Sequence, residues 1–436
     1  MSKMTARGEN RSGTPDYLRC ALSQRGYDST SDMTGCRGCQ SPIETFMDFG
    51  RMPLANGFLT PDQFDGEYFF NLSAAYCPRC TLVQLVDQPQ RERMFNDSYP
   101  FFSSSSLRMQ EHFAAMARDV IGRLPPGDPF VVEIGSNDGT LLRHVADAGI
   151  SHLGVEPSRS VAAAATARGV ETIGEFFDAG LARRIVAGRG HAHAIVAANA
   201  LSHISNIHAV IEGIEILLAP GGTCIIEDPY WGDVVAQTAF DQIYDEHASY
   251  FTVSSLAHLF EQHGLAVLDA TRFDVHGGSM RYVIGRTGSR PVSPRVTALL
   301  DQERRSGLHQ PETFDRFRDR VTAAGAALMT LLRRCQSEQK RVVGYGATSK
   351  STTTINYCGI TPDLVEFISD TTPAKHGTYS PGAHIPVRPH REFAERYPQR
   401  ALLFLWNHAA EVRAKEAAFA RAGGRWIAYV PGVREF

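Results

Sequence analysis

Along the middle of the chain, short apolar runs alternate with amphipathic stretches. The runs are "FVVEIG", "HLGVEP", "ETIGEFF", "HAIVAANA" and "GTCIIEDP", starting at Phe130. Runs of this length bounded by turn residues read as strands of a parallel sheet. Between them, "TLLRHVADAG", "SRSVAAAATARG" and "HAVIEGIEILLAPGG" carry apolar residues at helical spacing, the last two ending at glycine. Strand and helix in turn predict an α/β, doubly wound domain. Upstream, the apolar positions from Leu107 to Leu124 recur as in a helix, with serines before them able to cap it. Downstream of residue 285 the pattern turns helical and charged. A second alternation follows in "RVVGYGATSKSTTTINYCG", "LVEFISDTT", "ALLFLWNHA" and "RWIAYVPGV", which predicts a second, smaller Rossmann-like domain.

A chain of 436 residues exceeds one ordinary core, so two or three domains are expected. The boundaries read as a polar tail at 1–34, a small domain at 35–95, the central domain at 96–285 and the last domain at 286–436. A net charge of -3 gives no electrostatic footprint for nucleic acid or an anionic membrane. No run reaches the ~18 apolar residues of a membrane span, and residues 1–34 hold no apolar signal segment. A cytoplasmic setting is therefore expected, in which clustered cysteines bind metal more readily than they form disulfides.

Cys36 and Cys39 in "CRGC" and Cys77 and Cys80 in "CPRC" form two C-x-x-C pairs. Four thiolates complete a tetrahedral zinc site with no open position, which makes the metal structural. The long separation leaves room for an inserted hairpin around "FMDFGRMPLANGFL". Cys20, Cys224, Cys335 and Cys358 are scattered and read as apolar packers.

The first Gly-rich turn is Gly135-Ser-Asn-Asp-Gly139, which lacks the G-x-G-x-x-G of a dinucleotide site. Glu156 ends the next strand, at the distance where a carboxylate can grip two ribose hydroxyls. Together, E-I-G-S-N-D-G and "GVEP" resemble motifs of class I methyltransferases. The resemblance implies S-adenosylmethionine, with Gly135 and Gly139 making room for the methionine part, Glu133 and Asn137 positioning it and Glu156 taking the ribose. Asn199, at the end of the fourth strand, would lie near the sulfonium.

After "TCIIEDPYW" comes "FDQIYDEHASYFT", where Tyr244, Asp245, Glu246 and His247 place titratable groups in a row. A histidine titrates near neutral pH and a neighbouring carboxylate can orient it. Asp245 reads as a solvated charge, whereas Glu246 and His247 read as chemistry. "DVHGGSMRYVIGR" sets His276, Ser279 and Arg281 around Gly277-Gly278, which suits either a phosphate or sugar site or a plain hairpin turn. Lys350 follows Gly344-Tyr-Gly346, which is not a Walker loop; it can meet an anion or face solvent.

The collinear order of these motifs with "YPFFSSSS", "YDEHASYF", "HGGSMR", "GYGATSKSTTTINYCGI" and "PAKHGTYSPGAHIPV" resembles the sugar C-methyltransferases over about residues 35 to 436. The resemblance implies methylation at C3 of a nucleotide-linked 4-keto deoxysugar, held between the middle and C-terminal domains. His247 would be the base, with Tyr244 and Glu246 beside it. Tyr99, His276, Ser279, Arg281 and Lys350 would line the substrate. The alternatives are an O- or N-methyltransferase of a sugar or other small metabolite, and a zinc-bearing binding module without turnover. Nucleotide, sugar and oligomeric state stay open.

Overall fold

The computed structural model describes residues 35–95, 103 and 107–436. The polar tail at 1–34, Cys20 and Tyr99 lie outside the described residues. Three sheets organise the rest.

The first sheet is antiparallel, in the order Glu44–Pro53, Phe69–Tyr76, Val83–Leu85 and Ser249–Tyr250. The hairpin expected between the cysteine pairs is its first two strands. Its last strand comes from far along the chain, directly after the Tyr-Asp-Glu-His segment. That pairing ties the cysteine-bearing region to the central one.

The central sheet has seven strands, ordered Leu265–Phe273, Ser279–Arg286, Leu218–Pro229, Ala192–Ala198, Phe130–Ile134, Ser151–Val155 and Thr172–Ile173. Only Ser279–Arg286 runs against its neighbours. Successive residues of Phe130–Ile134 serve opposite faces. Val131 packs with Phe113, Met116 and Val120, while Val132 packs with Ile195, Ile211 and Ile214. Burial on both faces is why these strands read as unbroken apolar runs. The chain starts in the middle at Phe130–Ile134, runs outward to Thr172–Ile173, then returns to Ala192–Ala198 on the other side. Such a reversal opens a crevice at the carboxyl ends of the two middle strands.

Two expectations are corrected. "ETIGEFF" forms only the short strand Thr172–Ile173 at the sheet edge. The helix expected to reach "APGG" ends at Leu217, because Leu218 already pairs with Ala192 as the start of the next strand.

The third sheet runs Val387–Pro389, Ile368–Asp370, Val342–Tyr345, Arg400–Leu403, Arg425–Ala428 and Arg434–Glu435, all parallel except the last. It repeats the reversal beside Val342–Tyr345. The helices Pro294–Arg305 and Pro311–Ser337 connect the sheets. Phe314 of the longer one stacks on Tyr76 at 4.0 Å and packs 4.9 Å from Phe46. Glu303 of the shorter one accepts from the main-chain N–H groups of Val253 and Ser254 at 2.8 and 3.0 Å, which caps the helix Val253–Glu261 with a carboxylate. Cys224, Cys335 and Cys358 are buried packers. No described helix is long and apolar enough to cross a membrane.

Candidate active site and metal centre

The cysteine pairs converge. The sulfur atoms of Cys36, Cys39, Cys77 and Cys80 all lie within 4.8 Å of one another, with Cys36 and Cys80 at 3.3 Å and Cys39 and Cys77 at 3.5 Å. Zinc–sulfur bonds of about 2.3 Å in a tetrahedron set sulfurs about 3.8 Å apart, so the donor set fits zinc. The N–H groups of Gly38 and Cys80 point at the Cys36 and Cys77 sulfurs, at 3.3 and 3.5 Å, as donors that favour thiolate. The Gly38 carbonyl accepts from His208 at 3.0 Å and from Gln262 at 3.1 Å, which docks this loop on the central domain.

The crevice of the central sheet is lined by acidic groups. Glu156 is buried; its two oxygens accept from the N–H groups of Asn137 at 3.0 Å and Ser158 at 2.9 Å. This locks the strand end to the Gly135–Gly139 turn. Gly135 and Gly139 have φ of +70° and +77°. A Cβ on either would sit 2.7 Å from Ala200 or 2.8 Å from Val170, so these glycines answer to the turn and to packing. Asn137 adopts φ 48°, and its side-chain oxygen accepts from the Ser103 N–H at 2.9 Å. Asn199 has φ 51° and donates its N–H to the Glu227 carbonyl at 2.6 Å. One oxygen of buried Glu133 has no hydrogen-bond partner among the described residues, and burial holds this carboxyl well above the usual range. Buried acids with a free oxygen suit a ligand bearing an ammonium group and ribose hydroxyls, as S-adenosylmethionine does.

Next to this crevice lies the segment Phe240–Ala248, held by contacts from the N-terminal, central and C-terminal domains. His247 is 4% exposed, and its Nδ1 lies 2.7 Å from the carbonyl of Gln242. A carbonyl can only accept, so Nδ1 carries the proton and Nε2 presents its lone pair. The Tyr244 hydroxyl, 3.0 Å away, donates to it. Burial, followed by the nearby His203, pushes His247 well below its usual range. Burial likewise keeps Tyr244 a neutral phenol. The site therefore holds an uncharged imidazole whose Nε2 lone pair meets the Tyr244 hydroxyl.

The Gln242 carbonyl orients the ring, the role expected of Glu246. Glu246 instead accepts from the Asn56 amide at 2.5 Å. Asp245, expected in solvent, is 2% exposed and accepts from the Ala55 N–H at 3.0 Å. The row of charges forms a turn entering a strand, which carries Asp245 inward. Lys350 joins this cluster. Its Nζ is 3.4 Å from the His276 carbonyl and lies over the Trp406 ring. His276 is close by, pushed down to about 3 by burial and then by Lys350. Ser279 and Arg281 are paired elsewhere: Ser279 donates to the Val275 carbonyl at 3.2 Å, and Arg281 forms an ion pair with buried Glu227 at 2.8 Å. The Gly277-Gly278 segment is the hairpin turn between the last two central strands.

Four residues escaped the sequence reading. His203 sits 5.1 Å from His247, ring to ring. Asp241 is fully buried and accepts from Trp406 and from Tyr429, both at 2.6 Å. Lys375 reaches the Ala347 carbonyl at 2.6 Å within "PAKHG". Gln242 contributes a main-chain atom. Only proximity in the fold reveals them.

Three family profiles match in this order: a zinc binding domain over residues 36–95, a methyltransferase domain over 109–270 and a C-methyltransferase C-terminal domain over 274–431. The C-methyltransferase NovU of Streptomyces niveus is 36% identical over 390 residues, covering 88% of this chain and 92% of its own. The chain belongs to the C-methyltransferases. Solved structures similar to part of it include an Anabaena variabilis S-adenosylmethionine-dependent methyltransferase (14% identity, 43% of this chain and 88% of that chain, TM-score 0.35). A Synechocystis magnesium protoporphyrin IX methyltransferase with bound S-adenosylmethionine is another (14%, 41% and 79%, TM-score 0.32). The methyltransferase-domain match covers the central sheet of this C-methyltransferase, an S-adenosylmethionine-binding domain, and the zinc-binding match covers the four converging cysteines, which form a zinc site.

Two outcomes follow for this C-methyltransferase. Metal analysis should give about one zinc per chain, lost in Cys77→Ser, with faster hydrogen exchange in Val83–Leu85; unchanged metal content would refute the four-thiolate site. Glu156→Ala should weaken S-adenosylmethionine by on the order of 1 to 3 kcal/mol, which calorimetry reads as about 5- to 150-fold in Kd.

Proposed function

We propose that this C-methyltransferase adds a methyl group to C3 of a nucleotide-linked 4-keto deoxysugar, with His247 removing the C3 proton. The observation that carries the reading is the tautomer of His247. Its Nδ1–H is engaged by the Gln242 carbonyl at 2.7 Å, so Nε2 is the only nitrogen able to take a proton. The resemblance of the collinear motifs to sugar C-methyltransferases supplies the substrate class.

A hydrogen on carbon beside a ketone is acidic because the electron pair it leaves behind spreads onto the carbonyl oxygen. One fixed base in a dry site can therefore remove it. His247 is such a base, buried and neutral. Tyr244 donates to Nε2 in the resting site and must turn away for the proton to arrive; the same hydroxyl can then serve the sugar. When bound, S-adenosylmethionine supplies an electrophilic methyl group. Glu133, Asn137 and Glu156 hold it at the crevice, and the chain's further part is to orient the acceptor carbon and exclude water. Lys375, whose charge is felt by Glu246, places an ammonium group by the segment Phe240–Ala248, which suits an anionic substrate such as a nucleoside diphosphate sugar. An O-methyltransferase would use the same base on a hydroxyl, and the position of the new methyl separates the two.

His247→Asn should bind cofactor and nucleotide-sugar but lose methyl transfer by ~100- to 10,000-fold. Near-wild-type turnover on a panel of 4-keto sugar nucleotides would defeat the assignment. The pH profile carries a second check. A neutral imidazole is the active form, and burial lowers its pKa below the usual 6.5, so protonation comes only at lower pH. Turnover should stay level through pH 6.5, with its His247 limb on the acid side; an acid limb centred at 6.5 or above would contradict this.

A further inference from the structure

The reaction above leaves one part without a residue: the group that meets the charge pushed onto the C4 oxygen. The Lys350 ammonium lies by the His276 carbonyl, in the cluster around the segment Phe240–Ala248. Lys350 is the second residue of the helix Ser349–Cys358, whose next turn is pinned to the central domain by the Thr353 hydroxyl, which donates to the Ile243 carbonyl at 3.0 Å. Its Nζ lies 3.4 Å from the carbonyl of His276 and 5.1 Å from the centre of the Trp406 ring. The side-chain amide of Gln242 donates to that same His276 carbonyl, and the main-chain carbonyl of Gln242 takes the His247 Nδ1–H. Ammonium and imidazole are therefore both tied to Gln242.

The Trp406 ring beneath the lysine is itself held. Asp241, the residue before Gln242, does this. Its Oδ2 accepts from Trp406 Nε1 and the Tyr429 hydroxyl, both at 2.6 Å, and its buried Oδ1 has no hydrogen-bond partner among the described residues. Burial pushes Lys350 down to about 8, and Asp241 opposes the fall. Among the described residues the ammonium makes one long hydrogen bond, which leaves donors for a ligand.

Resting on the proposed function, we infer that Lys350 is the cation that receives the negative charge developing on the C4 oxygen, and that Asp241 positions it. The step balances. The C3–H bond breaks, the proton goes to His247 Nε2, the bonding pair becomes the C3–C4 double bond, and the carbonyl pair moves to oxygen, where the ammonium meets it. The positive charge depresses the basicity of His247, but it also lowers the acidity barrier of the carbon acid. The second effect acts at hydrogen-bond range on the oxygen, where charge interactions are strongest.

The test is exchange of the C3 proton with deuterium oxide, using a nucleotide-linked 4-keto deoxysugar and no methyl donor. Wild type should exchange. Lys350→Met should bind S-adenosylmethionine and the sugar nucleotide as wild type does, but exchange about 100- to 1,000-fold more slowly, the loss seen on removing one oxyanion donor. Lys350→Arg should recover part of the rate. Asp241→Asn keeps an acceptor for Trp406 and Tyr429 while removing the charge, so the alkaline limb of exchange should move to lower pH. The other groups facing the ammonium, His247, His276 and His408, are neutral there and leave that limb to Lys350. Wild-type exchange in Lys350→Met overturns the inference alone. So does a loss confined to sugar-nucleotide affinity, which would make Lys350 a phosphate ligand. Should Lys350→Met fail to bind cofactor, an unmoved alkaline limb in Asp241→Asn overturns it. A wild type that neither exchanges nor methylates such sugars overturns the proposed function, and this inference with it.

Discussion

The hydrogen bond from His247 to the carbonyl of Gln242 is the constraint on which the rest of the site depends. An imidazole in a dry cavity is useful as a base only if its proton is parked on the nitrogen facing away from substrate. A side-chain carboxylate could hold it there, but it would also raise the basicity and bring a charge needing its own partner. A main-chain carbonyl fixes the tautomer without adding charge. It works only while the backbone of Gln242 stays in place, and the three domains secure that backbone.

Each domain grips the segment at a different point. The N-terminal domain supplies the Ala55 N–H to Asp245 and the Asn56 amide to Glu246, and the N–H of Leu85 reaches the Ala248 carbonyl at 3.1 Å. The central hairpin turn accepts from Gln242 through the His276 carbonyl. The C-terminal domain contributes Thr353 to the Ile243 carbonyl, and Trp406 and Tyr429 to Asp241. Buried acids in such number carry a large desolvation cost, seen in the raised pKa of Asp241 and Asp245. Hydrogen bonds from neighbouring domains offset that cost only when the domains are docked. The active conformation is therefore a property of the whole assembly.

This geometry explains what could be read from the chain and what could not. The zinc ligands were legible because C-x-x-C spacing is itself the chemistry: two sulfurs per loop, two loops per metal. The central strands were legible because two covered faces leave continuous apolar runs. The hairpin turn at Gly277-Gly278 stayed ambiguous, since a turn and an anion site ask for the same glycines. Asp245 was misread because local pattern cannot distinguish a charge in water from one whose partner, Ala55, lies 190 residues away. Gln242 acts through a main-chain atom that every residue possesses, so no residue type could announce it. Asp241 and Lys375 were passed over for a related reason: their environments are made by segments distant in sequence.

The zinc site also acquires a mechanical sense from this arrangement. The loop at Cys36–Cys39 sends the Arg37 N–H to the Gln84 side chain at 2.8 Å and the Arg37 guanidinium to the Leu85 carbonyl at 3.2 Å. Gln84 and Leu85 belong to the strand that begins three residues after Cys80, and Val83 and Gln84 of that strand pair with Tyr250 and Ser249. Metal, loop, strand and the segment bearing His247 thus form one unbroken series of hydrogen-bonded neighbours. A three-residue strand is too short to hold its register by side-chain pattern alone. Four thiolates closing on one ion fix both ends of the hairpin that feeds it, so a metal with no open coordination position still governs where the imidazole stands.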